Sequence, residues 1–196
     1  MRQARYWKHD AKVKGRVACV LCPHECLIAE GKAGRCLGRR NIGGELVAAS
    51  YGEIVSIAVD PIEKKPLYHF LPGSEILSVA TYGCNLRCPF CQNAEISQQV
   101  TPSRHVEPDE LLALARHHAT PSLAYTYNEP CVWFEYLMDA GKLMQGAGIR
   151  QQGTGIGDPR AGKRGAGEGI ERAAQKKRPD ARAPAARPDR EDDRGG

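Results

Sequence analysis

Thr81-Tyr82-Gly83-Cys84-Asn85-Leu86-Arg87-Cys88-Pro89-Phe90-Cys91 decides how this chain is read. Its cysteines are spaced C-x3-C-x2-C. Just before it runs Glu75-Ile76-Leu77-Ser78-Val79-Ala80-Thr81, apolar, partly β-branched and free of Pro and Gly. That stretch reads as a buried parallel strand, and Gly83 breaks it, so the cysteines fall in the loop at its C-terminal end. In α/β barrels the reactive loops lie at that end. Zinc usually draws its cysteines as C-x2-C pairs, which is not this spacing, although a zinc knuckle or a closed redox centre is the plainer alternative. Three thiolates this close suit three corners of a cubane [4Fe–4S] cluster, whose fourth iron is left open. An open iron takes a substrate or cofactor, usually S-adenosylmethionine (SAM), and the chemistry is radical generation. Pro89 stiffens the loop, and Phe90 is expected to shield the cluster or pack on an adenine.

Downstream, Glu107-Pro108-Asp109-Glu110 carries helix-start signals, and the helix runs to about His118 with Leu111, Leu112, Leu114 and Ala115 on its apolar face. His117 and His118 suit the negative end of its dipole better than a metal. Ser122 to Tyr127 forms a second apolar strand, and this βαβ spacing argues for parallel pairing. Asn128-Glu129-Pro130 follows at once, where such folds hold substrate groups or cap the next helix. That helix runs from Val132 to about Ala147, with Phe134, Leu137, Leu143, Met144 and Ala147 as apolar positions, and ends at Gly146 and Gly148. Cys131, at its start, reads as a buried, inert thiol.

The N-terminal part holds a second group, Cys19, Cys22, Cys26 and Cys36, spaced C-x2-C-x3-C-x9-C. A loop-rich segment with few large apolar residues cannot hold itself by its core, and a metal would staple it. Zinc and a second iron–sulfur cluster both fit the spacing, as do reduced thiols without metal. Asn41-Ile42-Gly43-Gly44 is turn chemistry. Glu45–Ala49 and Ile54–Val59 read as a hairpin-like pair around Tyr51-Gly52. Two prolines keep Asp60 to Phe70 extended. In that stretch Tyr68 and Phe70 are expected to pack, with Lys64 and Lys65 on a solvated face.

The loop TYGCNLRCPFCQN resembles the cluster loop of the radical SAM superfamily. The runs CPHEC, IAEGKAGRC, YGEIVSIAVDPIEKKPLYHFLPG and AYTYNEP resemble a narrower group, the radical SAM component of the AmmeMemoRadiSam system, related to the pyruvate formate-lyase activating enzymes. The resemblance covers roughly residues 1–150. It implies a radical SAM enzyme that cleaves SAM reductively to a 5′-deoxyadenosyl radical for hydrogen abstraction. Cys84, Cys88 and Cys91 would hold the cluster, and Glu129 with Asn128 would help hold SAM. The resemblance also carries over the four N-terminal cysteines. In the activating enzymes a Gly-Gly-Glu-like motif meets the SAM amino group; Thr126-Tyr127-Asn128-Glu129-Pro130 keeps the carboxylate and lacks the glycines. A flavodoxin- or ferredoxin-type electron donor is implied, and the substrate is a protein glycine or a small molecule.

The chain has 196 residues and a net charge of +5, of which the 46 residues from 151 onward supply +3. The +2 left on residues 1–150 makes no nucleic-acid groove. No apolar run spans a bilayer, and the charged N-terminus lacks the apolar stretch of a signal peptide, so eight cysteines point to metal or redox use in a cytoplasm rather than to disulfides. Residues 151–196 contain 9 Gly, 8 Ala, 8 Arg and 4 Pro, with no aromatic residue, Leu, Val, Met or Cys. Such a segment is expected to be disordered. No third strand is expected in it, and Gly153-Thr154-Gly155-Ile156-Gly157 lacks the strand a phosphate loop needs. Out-of-frame translation of GC-rich DNA gives this composition. The organisation expected is therefore a Cys-rich segment with short strands (1–72), the start of an α/β, truncated radical SAM (β/α) barrel (73–150) and a disordered tail (151–196). An inactive fragment that binds a metal cluster or a partner is the alternative to an enzyme.

Overall fold

The computed structural model describes residues 2–152. Twelve strands and three helices follow one another. Strands β1 (Arg2–Gln3), β2 (Trp7–His9), β3 (Val17–Cys19), β4 (Leu27–Ile28), β5 (Arg39–Ile42) and β6 (Glu45–Ala48) build the N-terminal part. Then come β7 (Glu53–Ile54), β8 (Ser56–Pro61), β9 (Glu75–Ala80), α1 (Ala94–Ser97), β10 (Arg104–His105), α2 (Pro108–His117), β11 (Ser122–Tyr125), α3 (Phe134–Gly146) and β12 (Arg150–Gln152).

The central sheet has the order β12-β11-β9-β8. As the apolar runs predict, β9 and β11 are buried and pair in parallel, Ser122 opposite Ile76 and Tyr125 opposite Val79. On its other side β9 pairs antiparallel with β8, Ser56 opposite Ala80. The sheet therefore draws on residues on both sides of position 72. Helices α2 and α3 cover it with Leu111, Ala115, Tyr136, Leu137, Ala140 and Met144, which pack on Leu77, Val79 and Leu123. Trp133 stacks on Tyr136 at 4.5 Å and donates Nε1–H to the Ser50 carbonyl (2.7 Å).

Several sequence expectations are corrected. The hairpin of the N-terminal part is β5–β6, Ile42 opposite Glu45, because Gly43 and Gly44 both take positive φ (63° and 83°) and make the tight turn that twisted strands favour. The predicted pair around Tyr51-Gly52 does not form: β8 leaves to join β9, whose long apolar edge offers more partners. A strand does follow α3, since β12 pairs in parallel with β11, Arg150 opposite Ser122. The rest of the tail lies outside the described residues. The stretch after Asp60 is not simply extended: Ile62–Lys64 forms one turn of 3-10 helix. Helix α3 is preceded by a second 3-10 turn, Pro130–Trp133, and its Leu143 is exposed rather than packed. The N-terminal part also has a small core, Ala4, Val17, Cys19, Ile28, Leu46 and Ala48, so its cysteines are not its only support.

Two buried contacts stand out among those that tie the N-terminal part to the central sheet and its helices. Arg39 on β5 is 1% exposed and grips both oxygens of Glu135 on α3 (2.6 and 2.8 Å), while the Arg5 amide donates to the same carboxylate (2.7 Å). Gly83 lies against Cys36: a Cβ there would sit 2.1 Å from the Cys36 carbonyl oxygen, and its φ is +82°. Only glycine meets both demands.

Candidate iron–sulfur site

The loop after β9 is fixed from both ends. Asn128 donates its side-chain amide to the carbonyls of Thr81 and Gly83 (2.8 Å each), so this residue of the β11 loop clamps the entry to the cysteine run. The Gly83 amide donates to the Ile96 carbonyl (2.8 Å), and Gln98 Nε2 reaches the Cys88 carbonyl (3.4 Å), which folds the exit of the loop back through α1. Arg87 donates to the carbonyls of Cys84 (2.9 Å) and Arg35 (2.7 Å).

Cys84, Cys88 and Cys91 line one cavity of about 210 Å³ together with Ser97, Asn128 and Glu129. The Cys84 sulfur accepts the amides of Leu86 and Glu129 (3.4 Å each), and the Cys91 sulfur lies 3.4 Å from the Ser97 hydroxyl. The sequence-expected SAM residues are thus beside the cysteines. Asn128 spends its N–H groups on the loop and leaves its carbonyl oxygen for a ligand. Glu129 caps the following 3-10 turn by accepting from the Cys131 amide (3.5 Å), and it also lines the cavity. Phe90 does not: it is 83% exposed and outside the cavity wall, because Pro89-Phe90 forms the outer turn between Cys88 and Cys91.

Cys19, Cys22, Cys26 and Cys36 line a second, small cavity of about 10 Å³, and Cys131 reaches it too. Burial pushes the thiols of Cys19, Cys36 and Cys131 up. Alternate residues of one loop face the two sites: Cys84 and Leu86 line the first cavity, and Asn85 the second. The Asn85 carbonyl bonds to His24 Nε2 (2.8 Å) and accepts from Arg35 Nε (3.3 Å). Among the described residues no three His, Cys, Asp or Glu side chains converge tightly enough to hold a single metal ion. The donor set of the first cavity, three thiols and no imidazole, suits the wider spread of a cluster.

The sequence reading missed a buried polar cluster. Asp60 accepts from Lys64 Nζ, Lys65 Nζ and Ser78 Oγ (2.8 Å each) and from the Tyr127 hydroxyl (3.0 Å). Burial alone would raise its carboxyl, but these four donors outweigh burial and hold it well below the usual range. Lys65, expected in solvent, is 8% exposed, and Tyr68, expected to pack, is 64% exposed. The signal available was Asp60 followed four and five residues later by two lysines.

Residues 78–157 match the Radical SAM superfamily, which points to SAM-dependent radical chemistry with an iron–sulfur centre. The chain is also similar to the uncharacterized protein MJ0808 of Methanocaldococcus jannaschii, 42% identical over 154 residues. That alignment covers 76% of this chain and 45% of the relative, so the chain spans less than half of that protein's length. No solved structure matches. Among the described residues no helix is long and apolar enough to cross a membrane.

Proposed function

We propose that the chain carries the cluster-binding part of a radical SAM enzyme, with Cys84, Cys88 and Cys91 as ligands of a [4Fe–4S] cluster and Glu129 with the Asn128 carbonyl helping to hold SAM. The observation that supports this is the convergence of the three thiols with Asn128 and Glu129 on one cavity. When bound, the cluster and SAM supply a 5′-deoxyadenosyl radical through one-electron cleavage of the sulfonium. The chain's own part is positional. The Leu86 and Glu129 amides hold the Cys84 sulfur, Asn128 locks the loop, and the Glu129 carboxylate faces the space where an ammonium group would sit. The parallel order β9, α2, β11, α3, β12 supports the opening units of a (β/α) barrel. The dense resemblance of residues 1–150 supports the AmmeMemoRadiSam subfamily, with a cytoplasmic setting, a flavodoxin- or ferredoxin-type donor and a protein-glycine or small-molecule substrate. The resemblance supports a second metal centre, zinc or iron–sulfur, at Cys19, Cys22, Cys26 and Cys36, and binding there would have to draw these thiols closer together than they stand.

Anaerobic reconstitution with iron and sulfide, followed by dithionite and SAM, tests this. The expected result is 5′-deoxyadenosine, lost in Cys84→Ser, Cys88→Ser and Cys91→Ser alike. Full iron loading without that product would leave a non-catalytic, metal-binding chain as the correct reading.

A further inference from the structure

Tyr127 separates two cavities. On one side lies the cysteine cavity, and on the other an open cavity of about 950 Å³ whose wall includes Ser56, Lys64, Lys65, Gln92, Asn93 and Thr126. That wall offers two ammonium groups, two side-chain amides and, with Tyr127, three hydroxyls, and no Asp or Glu belongs to it. Asp60 pairs with both lysines and balances only one of their two charges. Lys65 is held on Asp60, and its ammonium lies 4.7 Å from the centre of the Tyr127 ring. The Lys64 side chain is 59% exposed, with its ammonium on the other Asp60 oxygen (2.8 Å). An excess of positive charge in a concave, donor-rich wall is what an anionic group seeks.

Tyr127 itself has φ +72°, a conformation that costs a bulky L-residue about 1–3 kcal/mol and clusters at functional sites. Its hydroxyl bond to Asp60 and its contact with Lys65 hold it there. Gln92 and Asn93 directly follow Cys91, so a group bound in the wall lies beside the cluster loop.

We propose that this cavity is the substrate pocket and that Lys64 and Lys65 recognise a carboxylate or phosphate on the substrate, with Tyr127 as the partition between substrate and cluster. Its use as a substrate pocket rests on the radical SAM reading above, whereas its affinity for anions does not. Inorganic phosphate and acetate, titrated calorimetrically into the full chain at low salt, test the anion site. One saturable site is expected, and the tighter of the two probes names the group on the substrate. Lys64→Gln should weaken it roughly tenfold, as loss of one charge-assisted hydrogen bond does. Lys142→Gln, an exposed charge on α3, should leave it unchanged. The triple variant Cys84→Ala, Cys88→Ala, Cys91→Ala should still bind phosphate, which separates failure of the pocket from failure of the cluster reading. The proposal is overturned by absence of saturable binding, or by equal losses in Lys64→Gln and Lys142→Gln. It is also overturned if SAM displaces phosphate from the triple variant, since the anion held would then be the cofactor's own carboxylate.

Discussion

Glu135→Gln is the most informative single perturbation of this fold. Arg39 is 1% exposed, and its guanidinium donates to both Glu135 oxygens at 2.6 and 2.8 Å. Another of its nitrogens donates to the Arg5 carbonyl (2.8 Å). Replacing the carboxylate with an amide of the same shape keeps the packing and one acceptor oxygen, but strands the Arg39 charge. At about 4 Å between charge centres and an effective dielectric near 20, the pair interaction is about 4 kcal/mol. Breaking one side of a buried pair costs about 3–5 kcal/mol. The retained acceptor puts Glu135→Gln at about 3 kcal/mol. With a urea m-value of about 2 kcal/mol/M, the midpoint falls by about 1.5 M. Arg39→Met combined with Glu135→Met removes both charges and should recover most of that loss. Urea unfolding of the unaltered chain and these two variants, followed by tryptophan fluorescence, measures both changes. A Glu135→Gln loss under about 1 kcal/mol, or a double variant less stable than the single, would refute the reasoning.

Gly83→Ala should cost about 3 kcal/mol, from a positive φ and a 2.1 Å approach to the Cys36 carbonyl, and should lower iron loading; thermal unfolding and iron analysis check it. Asp60 is held below its unfolded value, so its contribution is full above about pH 4 and is lost as pH falls below that. Asp60→Asn should therefore be less stable at pH 7 and show a flatter acid limb in pH-dependent urea unfolding. His105 is raised by its hydrogen bonds to Glu107 and Glu53, so its contribution is full below about pH 6.5 and fades as pH rises through its folded value. NMR titration should find the His105 midpoint above 6.5 and lower in Glu53→Gln; a wild-type midpoint at or below 6.5 counts against the ion cluster.

The local half of this structure was legible in the sequence because it depends on short-range chemistry. The apolar runs at 75–80 and 122–125 with a helix between them dictate parallel strands, and cysteines three and four residues apart in one loop have little choice but to share a cavity. The meeting of Asn128 and Glu129 with that loop follows from two parallel neighbours ending at the same edge. Pairing over longer distances was not legible. Nothing in the composition of Ile54–Val59 says that it leaves Glu45–Ala49 for Ala80, since an edge strand pairs with whichever exposed backbone the fold brings past it. The burial of Lys65 and Arg39 was equally hidden. Pattern places a charged residue in water by default, and only the carboxylates of Asp60 and Glu135, arriving from 5 and 96 residues away, offset the cost of desolvation. The sequence determined the chemistry that the loop can hold, whereas the tertiary structure decided which charges surround it, because a buried charge is stable only where its partner has been brought to meet it.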